Sequence, residues 1–271
     1  MTHRLAPNVE LLFTEHGDYP DRVRAAAAAG FTSVEMWGPT GKDAPAKPKD
    51  LPALKAALQE TGVRLEAQLA EPRTQFMIPP KDHGDFYRGI EEGARIAADL
   101  GCPRIVVQGG TGFGGRKRQD QHDELAGIYT RALELIEGSG VVLVLEAVNT
   151  RVDHPGTLLD RTTDAIDVAR TVGSPQFGVL VDVYHSRVMS EDLVQVLAEA
   201  GPLVRYVQVA DVPGRGEPGT GTIDWPGVFR ALTAAGYDGP VGLEYVPTVD
   251  SEESTRHLRS VLEDLGALAR G

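Results

Sequence analysis

The chain has 271 residues, of which 41% are hydrophobic and 24% charged, and its formal net charge is −12. That length suits one (β/α)8 barrel or two ordinary domains, and the negative charge argues against nucleic acid or an anionic membrane as a partner, because both select clustered Lys and Arg. The single cysteine, Cys102, excludes an intrachain disulfide and a cysteine zinc site.

Eight short runs rich in aliphatic and β-branched residues predict eight strands. In chain order they span 8–13, 33–37, 63–69, 104–108, 141–148, 177–183, 204–210 and 241–246. Most of these runs are aliphatic on both faces, which is typical of parallel strands buried on both sides.

Longer segments rich in Ala, Leu and Glu separate the strands and predict eight helices. They span 20–29, 50–61, 84–100, 119–138, 158–172, 190–200, 225–235 and 250–269. Ser190 and Asp224 stand where helix N-caps are expected, and several helices stop at glycine, the usual C-terminal cap.

Strands and helices alternate with about 34 residues per unit, which predicts parallel strands joined by helical crossovers. A closed eight-fold barrel fits this count better than an open sheet. No linker or composition break divides the chain, so we expect an α/β protein with a single (β/α)8 TIM-barrel catalytic domain over residues 1–271.

Polar residues end the four strands of the second half. In a TIM barrel the chemistry lies at the C-terminal ends of the strands, and reading off those positions gives Glu146, Asp182, Gln208 and Glu244. They are 36, 26 and 36 residues apart, about one βα unit each, so all four should meet at one side of the barrel mouth.

Three carboxylates brought together after apolar runs would repel one another unless a cation lay between them. A single acid at a strand end commonly caps a helix or pairs with arginine, but that explanation is weak for four consecutive strands. Oxygen-only ligation with a neutral amide suits one divalent ion, Mg²⁺, Mn²⁺ or Co²⁺. The sequence therefore predicts a metal site.

Four segments in the second half of the chain resemble the hydroxypyruvate isomerase family. They read LEAVNTRVDHPG, GSPQFGVLVDVYHSRVMSEDL, YVQVADVPGRGEPGTGTIDWPGVF and GYDGPVGLEYVP. That family lies among the xylose isomerase-like barrels, with the ketose 3-epimerases and inosose dehydratases. The resemblance is dense over residues 140–250 and weaker but collinear earlier, in GFTSVEMWG and LGCPRIVVQGG.

The resemblance implies that the metal is held by the four strand-end residues, with Glu146 and Glu244 as the pair that donates and accepts the proton. It also implies that His185 contacts substrate oxygens and that Arg215 reaches the substrate's oxygens or carboxylate. Relatives commonly read PGRHEP, whereas this chain has Gly216 in place of the histidine. A donor near the substrate is therefore expected to be missing.

Moving a proton next to a carbonyl requires a base, and the enediolate that forms requires positive charge near its oxygens. Returning the proton to the neighbouring carbon gives an aldose–ketose isomerase, and returning it to the opposite face of the same carbon gives an epimerase. We expect an isomerase that forms a cis-enediolate on a small hydroxy-keto acid, with hydroxypyruvate and tartronate semialdehyde as the family's type reaction. The alternative is a ketose 3-epimerase or a related sugar epimerase.

Other function classes fit the sequence less well. An abasic-site endonuclease would need several histidines for a zinc cluster and a basic groove, and a binding protein without catalysis would be favoured if Glu146 or Glu244 were missing. The glycines of GGTGFGG match GxGxxG, but the following helix is delayed, so no nucleotide cofactor is expected. Trp37 is a candidate to close over the substrate, and Glu35 and His154 are weaker candidates for supporting roles.

The N-terminal stretch MTHRLAPNVELLF lacks the features of a secretory signal, and no run approaches the roughly 18 apolar residues of a membrane span. A cytoplasmic enzyme is therefore expected, with a small-molecule sugar or hydroxy-keto acid as its partner. A homo-oligomer is left open by the sequence.

Overall fold

A computed structural model describes residues 3–39, 48–72, 75–79 and 81–264. Within these residues eight strands alternate with helices. The strands are β1 Leu5–Pro7, β2 Ser33–Met36, β3 Arg64–Leu69, β4 Arg104–Gln108, β5 Val142–Glu146, β6 Phe177–Asp182, β7 Val204–Val209 and β8 Val241–Leu243. The helices are α1 Tyr19–Ala28, α2 Leu51–Thr61, α3 Gly84–Leu100, α4 Arg118–Leu135, α5 Thr162–Val172, α6 Val183–Val188, α7 Leu193–Ala200, α8 Trp225–Ala234 and α9 Ser251–Asp264.

The strands form one parallel sheet that curls into a barrel. Neighbours pair in sequence from β2 to β8, and β8 pairs with β1. The seam between β1 and β2 is joined by a parallel bridge between Asn8 and Glu35, where the Val9 amide donates to the Glu35 carbonyl at 3.0 Å. The predicted (β/α)8 barrel is confirmed.

The apolar residues form two layers of core. A small cluster fills the barrel interior below the mouth, and it comprises Ala67, Leu69, Val106, Val144, Leu180 and Tyr206. A much larger cluster lies between the strands and the surrounding helices. This division explains why the strands are aliphatic on both faces, since each strand packs inward and outward at once.

The first strand was predicted at 8–13, but it lies at Leu5–Pro7. The side chain of Asn8 accepts a hydrogen bond from the Glu10 amide at 3.0 Å, and its carbonyl accepts from Leu11 and Leu12, so the chain turns here instead of extending. Val9, Leu12 and Phe13 are buried in this turn. Burial alone does not distinguish a strand from a packed turn.

The helix predicted at 190–200 begins later, at Leu193, and an additional short helix, α6, precedes it. Ser190 is not its N-cap; Asp192 caps α7 by accepting from the amides of Val194 and Gln195. The Asp224 cap is confirmed, since its side chain accepts from the Gly227 amide at 3.1 Å. The last part of the predicted final helix, 265–269, lies outside the described residues.

None of the helices within the described ranges combines the length and the apolar character that crossing a membrane would require.

Candidate active site

A cavity of about 170 Å³ opens at the C-terminal ends of the strands. One wall, contributed by the early strands, is largely apolar, and its residues are Met36, Trp37, Ala67, Leu69 and Val106. The residues contributed by β5 to β8 and the segments after them are polar, and the early part of the barrel adds Asn8, Glu35 and Gln108. The cavity therefore has an apolar side and a side suited to charged and oxygen-bearing groups.

Glu146 is the last residue of β5 and is buried. The parallel register places it beside Gln108 of β4, whose amide nitrogen donates to Glu146 Oε2 at 2.7 Å. Burial, followed by the negative charges of Glu244 and Asp182, raises the pKa of Glu146 well above its usual range. In the metal-free protein the protonated form is therefore favoured.

Asp182 ends β6 and also caps α6. One of its oxygens, Oδ1, accepts from the Tyr184 amide at 2.8 Å, and this bond starts the helix directly at the end of the strand. Burial raises the pKa of Asp182 to about 7 although Arg215 acts in the opposite direction. Asp182 is thus both the last residue of the strand and the N-cap of the helix.

Gln208 lies on β7, in register with Asp182 on one side and Gly242 on the other. Its amide nitrogen donates to Glu35 Oε1 at 3.0 Å. Its amide oxygen is buried and has no hydrogen-bond partner within the described residues, as is also true of Asp182 Oδ2.

Glu244 follows the end of β8 and takes part in three polar contacts. Trp37 Nε1 donates to Oε1 at 2.8 Å, Arg215 Nη2 donates to Oε2 at 2.7 Å, and Asn8 Nδ2 lies 3.4 Å from Oε1. These donors come from three different strand-following segments, so the position of the carboxylate is set by the assembled barrel.

His185 lies on the first turn of α6 with its Nε2 pointing at two acids, 3.5 Å from Asp182 Oδ2 and 3.7 Å from Glu146 Oε1. Its Nδ1 faces the backbone amide of Asn149 at 3.2 Å and the side-chain amide at 2.7 Å. Both of these groups donate, so Nδ1 accepts and the proton of the neutral ring is on Nε2. Burial, with the nearby Arg215 and His154, lowers the pKa of His185 well below its usual value.

Arg215 is held over the site by the loop between β7 and α8. Its carbonyl accepts from the Val246 amide at 2.8 Å and its own amide donates to the Asp211 carbonyl at 3.1 Å, which stabilises a left-handed backbone, φ 57°, that is uncommon outside glycine. Its guanidinium also lies 4.9 Å from the centre of the Tyr184 ring. Burial lowers the pKa of Arg215, but the charges of Glu244, Asp182 and Glu146 outweigh this and raise it above the usual value.

Gly216 follows Arg215, but its missing side chain would not begin inside the cavity. A Cβ built on Gly216 meets Thr220 and Thr248 at 3.0 and 3.3 Å. This direction leads between the β7–α8 and β8–α9 loops.

The residues of the site fit a divalent cation. Oxygen or nitrogen atoms of Glu146, Asp182 and His185 all lie within 4.8 Å of one another. Within the described part of the chain, the buried oxygens Asp182 Oδ2 and Gln208 Oε1 accept no hydrogen bond. Carboxylate and amide oxygens suit Mg²⁺ or Mn²⁺. His185 Nε2 carries the proton of the neutral ring and is therefore a hydrogen-bond donor at this position rather than a ligand.

All six residues singled out from the sequence as metal, catalytic or substrate-binding groups lie at this end of the barrel. Polar contacts of 2.7–3.7 Å connect Glu146, Asp182, Glu244, His185 and Arg215. Trp37 and His154 also line the cavity. The sequence analysis missed Asn8, Gln108 and Asn149. The polar residue at the end of each early strand, read as for the later ones, would have indicated Gln108 and Glu35.

Comparisons with known proteins agree with the barrel fold. Residues 23–265 match the family described as xylose isomerase-like TIM barrel. A human relative named "Putative hydroxypyruvate isomerase" is 34% identical, with 97% of this chain and 96% of that protein covered. A 2-oxo-tetronate isomerase from Pectobacterium atrosepticum is 29% identical, with 92% and 94% covered. The crystal structure of an AP endonuclease, family 2, from Brucella melitensis superposes with a TM-score of 0.82 at 24% identity, with 96% and 99% covered.

Proposed function

This chain belongs to the xylose isomerase-like TIM barrels and, within them, to the hydroxypyruvate isomerase family, and from that premise we propose a metal-dependent isomerase that moves a proton on a small hydroxy-keto acid. The observation that carries the proposal is the convergence of Glu146, Gln208 and Glu244 on one cavity with His185 and Arg215. Asp182 lies beside them, 3.5 Å from His185 and 3.7 Å from Arg215. Hydroxypyruvate and tartronate semialdehyde are the proposed substrate and product. Relatives named as isomerases of hydroxypyruvate and of 2-oxo-tetronate support this substrate class.

The proposed metal ligands are Glu146, Asp182, Gln208 and Glu244. A bound Mg²⁺ or Mn²⁺ would supply positive charge that stabilises the negative oxygens of a cis-enediolate. The buried acceptors Asp182 Oδ2 and Gln208 Oε1 support this assignment, because each is left without a hydrogen-bond donor within the described residues.

The proton transfer is assigned to Glu146 and Glu244, which extend from β5 and from the end of β8. One carboxylate removes the proton from the carbon bearing the hydroxyl, and the other returns a proton to the former carbonyl carbon. The hydroxyl proton passes to the former carbonyl oxygen, so the overall change is an isomerisation. His185 Nε2 would donate to these oxygens, and Arg215 would hold the substrate's oxygens or carboxylate.

A ketose 3-epimerase remains the second candidate, because a pair of acids on opposite walls can also return the proton to the other face of the same carbon. The apolar wall beside β2 to β4 would accommodate the carbon skeleton of a longer sugar. A location in the cytoplasm, one domain over the whole chain and the assembly state stay predictions.

The test is turnover in D₂O by Mn²⁺-reconstituted protein, with hydroxypyruvate and a panel of ketoses, followed by NMR. We expect deuterium to enter tartronate semialdehyde. Glu146→Gln and Glu244→Gln should each lower turnover by about 10²–10⁴-fold, the usual contribution of a general acid or base, with unchanged circular dichroism.

The matched control is Glu66→Gln, a buried acid of β3 that accepts from Ser33 Oγ at 2.8 Å and pairs with Arg104 at 3.2 Å at the other end of the barrel. Its turnover should equal that of the wild type. Full activity in either active-site variant would refute the proton-transfer assignment, and 3-epimer products would select the epimerase.

A further inference from the structure

Glu35 is a buried acid of β2 that the proposed reaction does not use. It is 1% exposed, and its carboxylate lies beneath the cavity, where three donors converge on it. Asn8 Nδ2 and Gln208 Nε2 each lie 3.0 Å from Oε1, and the Tyr206 hydroxyl lies 2.6 Å from Oε2. Glu35 therefore joins the turn after β1 to β7, across the seam of the barrel.

Space for this carboxylate is provided by Gly242 of β8. A Cβ at that position would overlap with the Glu35 carboxylate and would lie 3.0 Å from Gln208 Cγ. A side chain on β8 would thus displace Glu35 from the position in which it contacts Gln208. Gly242 is therefore needed to leave room for the Glu35 carboxylate, rather than to form the strand.

The hydrogen bond to Glu35 sets which way the side-chain amide of Gln208 points, because its nitrogen donates hydrogen bonds and its oxygen accepts them. With Nε2 bound to Glu35, Oε1 is buried and accepts no hydrogen bond from any residue that the structure describes. In the flipped orientation, Oε1 would face Glu35 Oε1, so two acceptors would oppose each other, and the N–H groups would point at the position proposed for the cation. Glu35 Oε1 can accept these hydrogen bonds in either protonation state of the carboxyl group. When the group is ionised, the Tyr206 hydroxyl donates to Oε2, and when Oε2 carries a proton, it donates to the Tyr206 hydroxyl instead.

From this geometry we infer that Glu35 is a positioning residue of the metal centre, which orients the Gln208 amide oxygen toward the cation. The inference rests on the proposed metal ligation by Gln208. Asn8 extends the same cluster to Glu244, since its Nδ2 also lies 3.4 Å from Glu244 Oε1.

The test is Mn²⁺ binding to the metal-free protein without substrate, followed by electron paramagnetic resonance of the free ion. Glu35→Met keeps the length of the side chain but removes the acceptor, and we expect it to weaken Mn²⁺ binding by about 10–100-fold, as is usual for partners of metal ligands. Glu35→Gln should restore affinity close to that of the wild type, because an amide offers an oxygen to Gln208 and a nitrogen to Tyr206. Equal losses in both variants would contradict the inference.

A double-mutant cycle separates positioning from a general structural effect. Gln208→Ala should weaken Mn²⁺ binding by itself, and Glu35→Met should add no further loss in the Gln208→Ala protein, because the group it orients is gone. Additive losses would overturn the positioning role. Glu66→Met, which removes a buried acid from the neighbouring strand at the opposite end of the barrel, should bind Mn²⁺ as the wild type does.

Gly242→Ala provides a second way to move Glu35 without changing a polar group. If Glu35→Met does not fold, wild-type Mn²⁺ affinity in Gly242→Ala refutes the inference. A wild-type protein that binds no Mn²⁺ would refute the proposed metal site together with the inference. Weakened binding in Gln208→Ala with unchanged binding in Glu35→Met would refute the inference alone.

Discussion

At the scale of single residues, Asp182 shows how two functions share one carboxylate. Its Oδ1 caps α6 through the Tyr184 amide, while Oδ2 is left without a hydrogen-bond donor among the described groups. The residue is buried, and its charge is opposed by the nearby Glu244. The helix cap needs only an oxygen, whereas the proposed metal site needs the negative charge.

Asp182→Asn separates the two functions, because the amide keeps an oxygen for the cap and loses the charge. Since burial raises the pKa of Asp182 to about 7, the ionised form is penalised at pH 8 in the metal-free protein. We expect the variant to melt higher than the wild type in EDTA at pH 8, by about 2–4 °C for each kcal/mol gained.

Thermal melting with EDTA and with Mn²⁺ measures both consequences. Stabilisation of Asp182→Asn by Mn²⁺ should be lost, since a ligand is removed. A lower melting temperature than the wild type in EDTA would contradict the claim that the buried charge is destabilising.

At the scale of elements, the loop from β7 to α8 depends on Asp211. Its oxygens accept from the Val212 and Gly219 amides at 2.8 Å, from the Ile223 amide at 3.2 Å and from Trp225 Nε1 at 2.9 Å. Burial alone would raise the pKa of Asp211, but these donors outweigh it and lower the pKa. The stability contributed by this carboxylate is therefore present above its unfolded pKa and is lost as the pH falls through its lower folded pKa.

Asp211→Asn should loosen this loop, because an amide nitrogen cannot accept from the donors that now face one of the two oxygens. Losing hydrogen bonds to a charged group should lower the free energy of unfolding by about 2 kcal/mol. The melting temperature should therefore fall by about 4–8 °C. The KM should rise, since the same loop carries Arg215.

Thermal melts and steady-state kinetics test this together. Asp224→Ala is the comparison, because it removes the cap of α8 at a cost of about 1 kcal/mol and should leave the KM unchanged. An unchanged KM in Asp211→Asn would contradict the proposed link between the loop and the substrate.

At the scale of the whole molecule, the barrel brings several acids to one end of its axis. In the metal-free protein the pKa values of Glu35, Glu146 and Asp182 are all raised, first by burial. At these three acids the folded state thus binds more protons than the unfolded state between about pH 4 and pH 8. These groups therefore make the metal-free protein less stable as the pH rises through that window.

Mn²⁺ binding competes with these protons, so we expect the rise in melting temperature on adding Mn²⁺ to be larger at pH 8 than at pH 5. The pKa values of His3, His122 and His185 are lowered first by burial, and these residues act in the opposite direction. For this reason the measurement compares metal-loaded and EDTA-treated protein at each pH. An equal rise at all pH values would refute the coupling between metal and protons.

The sequence by itself determined the alternation of strands and helices and the four polar residues that end β5 to β8. Each aliphatic run is continuous in the sequence, so it can be recognised without knowing the fold. β4 and α3 lie at their predicted residues, 104–108 and 84–100. The spacing of about one βα unit was enough to place Glu146, Asp182, Gln208 and Glu244 at the same end of the barrel, because parallel strands all end there.

Only the tertiary structure decided how those groups are held. The donors to Glu244 come from Trp37 and Arg215, and the acceptor that orients Gln208 comes from Glu35, all distant in sequence. The tautomer of His185 depends on Asn149, which lies in the β5–α5 loop. Hydrogen-bond direction and close approach at a glycine depend on atoms that meet only when the barrel closes, and periodicity in the sequence does not encode such contacts.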